Sequence, residues 1–231
     1  MKLPNLTPNK IEKNFEIYTT QIEKALKKGQ KTNLKDFTTQ LHNYTALFER
    51  TPETDTLVKK TSLMAERIVG YGKLDFASVI YSFLLKTVKS PKLIEDIAMK
   101  QLALAKRTND PIHIMARTAD IRKIYQEISP KSPEHIKWLR AEIKSIRRVI
   151  NHYEHSKNNF QTISRAPQPK EFYEKLLGTT LVDLGKILKR KEPKDALPLF
   201  EEAQEIFKKQ DMKDSLNFTK TLIQETQEKL K

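Results

Sequence analysis

At five places along this chain, a residue that can cap a helix is followed directly by proline and then by a segment with helical spacing of its apolar residues. The pairs are Thr7-Pro8, Thr51-Pro52, Ser90-Pro91, Asp110-Pro111 and Ser132-Pro133. Proline in the first turn of a helix loses no hydrogen bond, and the Ser, Thr or Asp before it can accept hydrogen bonds from free N–H groups. Each pair therefore predicts the start of a helix, and their recurrence constrains the chain to a series of helices.

Between these pairs, apolar residues recur every three or four positions, which is the spacing of one face of an α-helix. The first segment carries Ile11, Phe15, Tyr18, Ile22 and Leu26, and the next carries Leu34, Phe37, Leu41, Tyr44 and Phe48. Gly70 and Gly72 mark a break between two further helices. Connections as short as those before Pro111 and Pro133 force neighbouring helices to run antiparallel. We expect an all-α fold of about ten helices, paired as antiparallel hairpins.

Composition supports helices and argues against several other classes. Glycine occurs only 5 times, while Lys, Leu, Glu and Ile are plentiful, which favours helix over sheet. No segment approaches the roughly 18 uncharged apolar residues of a membrane span, and residues 1–13 lack the apolar core of a secretory signal. The chain has no cysteine, which excludes disulfides and thiolate metal sites and suits a reducing compartment. We expect a soluble, cytoplasmic protein without a transmembrane segment.

The helical periodicity is lost over residues 157–169, which contain Asn158, Asn159, Pro167 and Pro169. Asn and Pro disfavour helix, so this stretch is predicted to be a loop or linker. It divides the chain into an N-terminal helical region, 1–156, and a C-terminal region, 170–231. Three further helices are expected in the second region, near 170–190, 194–210 and 212–230, with the last as a polar cap.

Residues 171–231 resemble a tetratricopeptide repeat. The positions that carry the resemblance are Leu181, Leu184 and Gly185 on the first helix and Ala196, Phe200 and Ala203 on the second. Small residues allow two helices to approach closely, and the aromatic ring fills the space beside them. The chain departs from the family in a turn shorter by one residue, in Leu181 at an aromatic position and in the missing closing proline. The resemblance implies a right-handed stack of helical hairpins, an α-solenoid, that binds a protein or peptide in a concave groove.

A weaker resemblance to the same family covers residues 54–110. Ala98, Leu102 and Ala105 occupy the small and apolar positions of a second helix, and Pro111 lies close to the closing proline. Ala65 precedes Ala98 by 33 residues, near the family's 34-residue period. The corresponding alanines further along are spaced less evenly, so an irregular array is expected.

The segment 133–155 predicts a helix with two contrasting faces. Its apolar seam is Ile136, Leu139, Ile143, Ile146, Ile150 and Tyr153. A second face carries five cations and no acid, because Glu134 and Glu142 fall elsewhere on the helix. These cations are Lys137, Arg140, Lys144, Arg147 and Arg148. The excess is local, because residues 101–150 contain 11 basic and 5 acidic groups, whereas 201–231 contain 6 and 7.

This basic face has two interpretations. It is either a binding surface for an acidic partner or polyanion, or a solvated surface whose cations pair with acids on a neighbouring helix. The net charge of +14 supports attraction of anions in general. Trp138, the single tryptophan, is predicted on the buried flank, and no nucleic-acid-binding motif is present. Nucleic-acid binding would therefore be electrostatic and independent of base sequence.

The sequence contains no pattern of an enzyme or metal centre. None of its glycines lies in a phosphate-binding loop or a nucleophile elbow. His152 and His155 are the nearest approach to a metal pair, and a third ligand is missing. We therefore expect no catalytic residue, metal or cofactor. The sequence predicts a non-catalytic helical-repeat adaptor that binds a protein or peptide of acidic character, with sequence-independent nucleic-acid binding as the alternative.

Overall fold

The computed structural model describes residues 8–30, 32–33, 35–37, 39, 54–88, 90–155 and 168–231. Within these ranges the chain forms helices and turns and no β-strand, so the all-α prediction is confirmed. The apolar face predicted over 34–48 lies largely outside the described residues, as does the loop predicted over 157–169, of which only 168 and 169 are described. The helices are α1 (Pro8–Lys27), α2 (Thr54–Gly70), α3 (Leu74–Thr87), α4 (Pro91–Thr108), α5 (Pro111–Ile128), α6 (Pro133–His155), α7 (Lys170–Leu188), α8 (Pro193–Lys209) and α9 (Lys213–Glu228).

Capping residues followed by proline start the helices as predicted. Four of the five pairs stand where α1, α4, α5 and α6 begin, and the fifth lies outside the described residues. At α5, one carboxylate oxygen of Asp110 accepts hydrogen bonds from the backbone N–H groups of Ile112 and His113, at 2.9 and 3.2 Å. At α6, the Ser132 hydroxyl accepts the backbone N–H of His135 at 3.1 Å. Side-chain oxygens thus satisfy N–H groups that have no partner within the helix.

By its internal contacts, the chain divides into two units, Met1–Leu104 and Ala105–Lys231. The boundary between these two units lies within α4. The predicted packing positions of α4, namely Ala98, Leu102 and Ala105, are all buried.

In the N-terminal unit, α1 and α2 run parallel to each other. A carboxylate oxygen of Glu16 lies 2.7 Å from Lys60 Nζ, and one of Glu23 lies 2.6 Å from Arg67 Nε. Both pairs join residues 44 positions apart, so the numbering rises in the same direction on both helices. Phe37 is fully buried in this unit's core. A short turn with Gly72 at a φ of +74° joins α2 to α3, where the glycines predicted a break.

In the C-terminal unit, consecutive helices pack antiparallel. The side chains of α5 and α6 meet at Arg122 with Glu142, and near their opposite ends Asn109 meets Arg148. Residue numbers therefore fall along α5 as they rise along α6, so these two helices are antiparallel. Helices α7 and α8 are antiparallel in the same way. Helix α9 runs parallel to α7. Its Phe218 ring lies 4.9 Å from Lys186 Nζ, and Glu225 near its end pairs with Lys189 just after α7.

Helices α7 and α8 approach each other closely at two glycines of α7. A Cβ atom added to Gly185 would lie 2.5 Å from Phe200 Cε1, and one added to Gly178 would lie 2.7 Å from Phe207 Cε1. Both rings are buried, as are Leu184, Ala196 and Ala203 beside them. Two aromatic rings of α8 thus pack directly on the backbone of α7, and only glycine leaves room for them.

Replacement of Gly185 by alanine should lower the free energy of unfolding by about 1–3 kcal/mol, because the added methyl group must displace the Phe200 ring. Denaturant unfolding measures the change. The matched control is Gly70→Ala at the end of α2, where nothing lies within 4 Å of the added Cβ. That variant should be unchanged or more stable by less than about 1 kcal/mol. Equal stability of Gly185→Ala and the native chain would contradict the packing described here.

His113 of α5 is a buried titratable group in the C-terminal unit. The residue is 8% exposed, and its Nδ1 has no hydrogen-bond partner among the described residues. Burial lowers the pKa of His113 from its ordinary value of 6.5, and the nearby Arg117 cation lowers the pKa further. Asp110 and Asp120 raise the pKa of His113, but their effect is smaller. The neutral imidazole is therefore the form that the fold favours.

The pH dependence of stability should reflect this group. In the unfolded chain His113 regains a pKa near 6.5, so stability is fully present above that pH and is lost as pH falls through it toward the lower folded-state pKa. His113→Gln should flatten the decline of the unfolding free energy between about pH 7 and pH 5. Replacement of His155, an exposed histidine on α6, by Gln is the control and should leave the slope as it is. Equal slopes for all three proteins would contradict the assignment.

Candidate functional site

Helix α6 shows the two faces that its sequence predicts. Along its apolar seam, Leu139, Ile143, Ile146 and Ile150 are buried in the core of the C-terminal unit, and Ile136 and Tyr153 pack against that core. The five predicted cations are all exposed. Glu142 is 1% exposed and points away from the cations, toward Arg122 of α5. The cationic face therefore contains no carboxylate of α6 itself.

Two of the five cations have partners on other segments of the same unit. Arg147 Nη2 lies 2.6 and 2.8 Å from the two carboxylate oxygens of Glu202 on α8. Arg148 Nη2 donates to the side-chain oxygen of Asn109 at 2.8 Å. The pair between Arg147 and Glu202 is 49% and 39% exposed, so its net contribution to stability is below about 1 kcal/mol. Here the solvated-surface interpretation describes the contacts well.

The other three cations form no salt bridge with a described residue. They are Lys137, Arg140 and Lys144, which lie toward the N-terminal half of α6. Lys137 Nζ is 6.0 Å from the centre of the Trp138 ring, and that residue is partly buried. The cations of this face that form no salt bridge with a described residue thus lie in the half of α6 nearest its start.

Lys137 and Arg140 line an open cleft with a volume of about 1180 Å³ in the C-terminal unit. The cleft lies where four helices meet at one end of the unit: the last turns of α5 and α7 and the first turns of α6 and α8. Its apolar lining is formed by Ile136, Leu139, Ile187 and Leu188. Short connections bring these helix ends together, and the antiparallel order places them on the same side.

The charges of this cleft are distributed unevenly between its two sides. The side from α5, α6 and their connection, which we call the basic side, has four cations: Arg122, Lys131, Lys137 and Arg140. No acidic residue of those segments is among the lining residues that the structure describes. The side from α7, α8 and their connection, the mixed side, balances three cations with three acids: Lys186, Arg190, Lys191, Asp183, Glu192 and Asp195. The positive potential is therefore strongest along the basic side.

Arg122 differs from the other cations because it is held in place. Its side chain is 15% exposed, and its Nε donates to Glu142 Oε2 at 2.8 Å. Its Nη1 donates to the side-chain oxygen of Gln126, one turn further along α5. The other cations of the basic side have no such contacts with described residues. The sequence reasoning missed Arg122, since only the (i, i+4) spacing to Gln126 could have pointed to it.

The rim of the basic side is also ordered by hydrogen bonds. His135 is 4% exposed, and its Nδ1 lies 2.6 Å from the Pro130 carbonyl oxygen, to which it donates when that nitrogen carries the proton. Its Nε2 is buried without a partner among the described residues. Together with the Ser132 cap, this contact holds the connection between α5 and α6 beside the first turn of α6. The backbone that carries Lys131 is thereby held against α6.

Ion pairs between helices account for shifted pKa values elsewhere in the C-terminal unit. The hydrogen bond from Lys170 lowers the pKa of Glu154, and the hydrogen bond from Lys189 lowers the pKa of Glu225. Both carboxylates are exposed on their helices. These pairs join α6 to α7 and α9 to the end of α7, which is a structural role.

Among the described residues, no three His, Asp or Glu side chains cluster as metal ligands would. His152 and His155 are both exposed near the end of α6, where His155 Nδ1 lies 2.7 Å from the Asn151 carbonyl oxygen. Among the helices that the structure describes, none has both the length and the apolar content needed to cross a membrane.

Comparison with known proteins yields one structural similarity. No protein-family model and no curated protein sequence matches the chain. Among solved structures, the chain is similar to BtubC (BKLC) from P. vanneervenii, with 12% identity over 91% of this chain and 84% of that one. The TM-score of 0.30 is too low to show a shared fold.

Proposed function

We propose that this protein is a non-catalytic helical-repeat adaptor that binds an acidic segment of a protein or peptide in the cleft of the C-terminal unit. The basic side of that cleft carries the proposal, because its described lining has four cations and no acidic residue beside an apolar surface, and only Arg122 among the four is paired with a buried acid, Glu142. Cations aligned on one side attract carboxylates, and the apolar lining offers contact area to Leu- or Phe-like side chains. The matching ligand is a segment that alternates acidic and apolar residues.

The mixed side favours a peptide over nucleic acid. Asp183, Glu192 and Asp195 would face a phosphate backbone that occupied the cleft, and like charges at short range repel. A peptide can place its acidic side chains along the basic side and neutral or basic ones opposite. Nucleic-acid binding remains the alternative for the exposed face of α6, where Lys144 continues the row of cations outside the cleft lining.

The resemblance to tetratricopeptide repeats adds support at the level of architecture. Contacts between α7 and α9 join residues 32 and 36 positions apart, on either side of the family's 34-residue period. Parallel first helices of successive hairpins produce such contacts. The 44-residue offset between α1 and α2 is longer, as expected for an irregular array. Helical repeats of this type serve as binding scaffolds, and the cysteine-free composition supports a cytoplasmic location.

A binding measurement with charge-reversal variants tests the proposal. The probe is a short fluorescein-labelled peptide of Glu and Leu residues, followed by fluorescence anisotropy. Lys137→Glu/Arg140→Glu should weaken binding at least about tenfold, because two attractive contacts become repulsive. The matched control is Lys175→Glu/Lys220→Glu, which reverses two exposed cations outside the cleft lining. It carries the same net charge and should retain most of the affinity.

Two outcomes would contradict the proposal. Equal loss in both variants would mean that the peptide responds only to net charge. A single-stranded oligonucleotide that binds the native chain more tightly than the peptide, with affinity that falls steeply with salt and is lost in Lys137→Glu/Arg140→Glu, would replace it with the nucleic-acid alternative.

A further inference from the structure

We propose that Arg122 is the specificity-determining residue of this cleft, and that it binds one carboxylate of the acidic partner by a pair of parallel hydrogen bonds. The inference rests on the proposed function and adds to it the position and geometry of one contact. It separates two roles within the basic side. The exposed cations attract the acidic segment at long range, and Arg122 selects one of its carboxylates through directional hydrogen bonds.

The geometry of Arg122 leaves donors open on the side away from its partners. A guanidinium group has five N–H donors, and Glu142 and Gln126 accept from Nε and Nη1. Nη2 has no hydrogen bond with a described residue, and the side chain lines the cleft. Three N–H groups therefore remain, one on Nη1 and two on Nη2, and the outer edge of the guanidinium, between Nη1 and Nη2, can present one N–H from each nitrogen. Two parallel donors at this edge match the two oxygens of a carboxylate.

The contacts of Arg122 also make it a better anchor than its neighbours. Lys137 and Arg140 are exposed, so binding must restrict long side chains, at a cost of up to about 2 kcal/mol of rotamer entropy each. Arg122 is already held by two hydrogen bonds, so less freedom is lost per bond that it forms with a ligand. Its low exposure also reduces competition from water for the new hydrogen bonds.

Charge explains why Arg122 and the exposed cations act differently. Glu142 lies 2.8 Å from Arg122 and nearly neutralises it, so the pair contributes little to the long-range field of the cleft. Long-range attraction, and hence the rate and salt dependence of association, comes from the unpaired cations. Removal of the two parallel donors of Arg122 should instead raise the dissociation rate of the peptide, because a close, directional contact is lost.

The experiment neutralises the pair without a change in net charge. Arg122→Gln alone would leave Glu142 buried and unpaired, which can unfold a protein, so the test variant is Arg122→Gln/Glu142→Gln. The matched control is Arg147→Gln/Glu202→Gln, which neutralises another ion pair between α6 and a neighbouring helix, away from the cleft lining. Thermal unfolding followed by circular dichroism verifies that both variants are folded. The probe is the same Glu-Leu peptide, together with peptides in which each Glu in turn is replaced by Gln.

For the native chain, one Glu→Gln replacement in the peptide should cost clearly more affinity than the others, because one carboxylate accepts the pair of hydrogen bonds from Arg122. In Arg122→Gln/Glu142→Gln the dissociation rate should rise about tenfold, the salt dependence of association should stay the same, and the difference between peptide positions should disappear. The control should behave as the native chain.

Three results would overturn the inference. If Arg122→Gln/Glu142→Gln binds as the control does, while Lys137→Glu/Arg140→Glu loses binding, the proposed function stands and Arg122 has no special role. The same conclusion follows if all peptide positions contribute equally to binding by the native chain. If the native chain binds no peptide at all, the proposed function fails and this inference fails with it.

Discussion

The close packing of two phenylalanine rings of α8 on the glycines of α7 determines the arrangement of the C-terminal unit. Gly178 and Gly185 lie two helical turns apart on one side of α7, and Phe207 and Phe200 fill the space opposite them. This contact sets how near α8 approaches and how far it is shifted along α7. The residues that follow Gly185 lead directly to the end of α7, where Lys186 and Arg190 line the cleft. The packing therefore positions the mixed side as well as the core.

The cleft itself follows from antiparallel helices joined by short connections. Helix ends in a hairpin stack gather on the same edge, and their polar connections leave space that side chains of the inner helices do not fill. In this unit, α5 and α6 contribute cations to that space, while their single buried acid, Glu142, is turned inward to Arg122. This buried carboxylate holds the guanidinium of Arg122 at the surface of the cleft. The scaffold thereby presents a donor group of defined orientation beside flexible cations.

Some of this arrangement could be predicted from the sequence. Capping residues before proline predict helix starts because the chemistry is local, and α4, α5 and α6 begin where it places them. The exposure of the five cations of α6 also follows from helical spacing, since Leu139 and Ile146 must face the core. Gly185 and Phe200 could be paired because their spacing resembles that of a known repeat.

The sequence does not show which residues of different helices meet. The partners Arg122 and Glu142 are 20 positions apart, and Arg147 and Glu202 are 55 apart. Such pairs depend on the tilt and shift of packed helices, which no local pattern encodes. The helical spacing of α6 separates its cations from its acids correctly. For the same reason as above, it does not distinguish Arg147, which has a salt-bridge partner, from Arg140, which has none among the described residues. The cations at the end of α7 were missed because they become part of a site only when α7 lies beside α6.

The most direct test of the account is to locate a bound acidic peptide by hydrogen–deuterium exchange of the full-length protein. A Glu-Leu peptide bound in the cleft should slow exchange at the connection between α5 and α6 and at the connection between α7 and α8. Exchange around Arg147 and Arg148, at the other end of α6, should not change. Protection confined to that end of α6, or to the N-terminal unit, would contradict the claim that this cleft is the binding site.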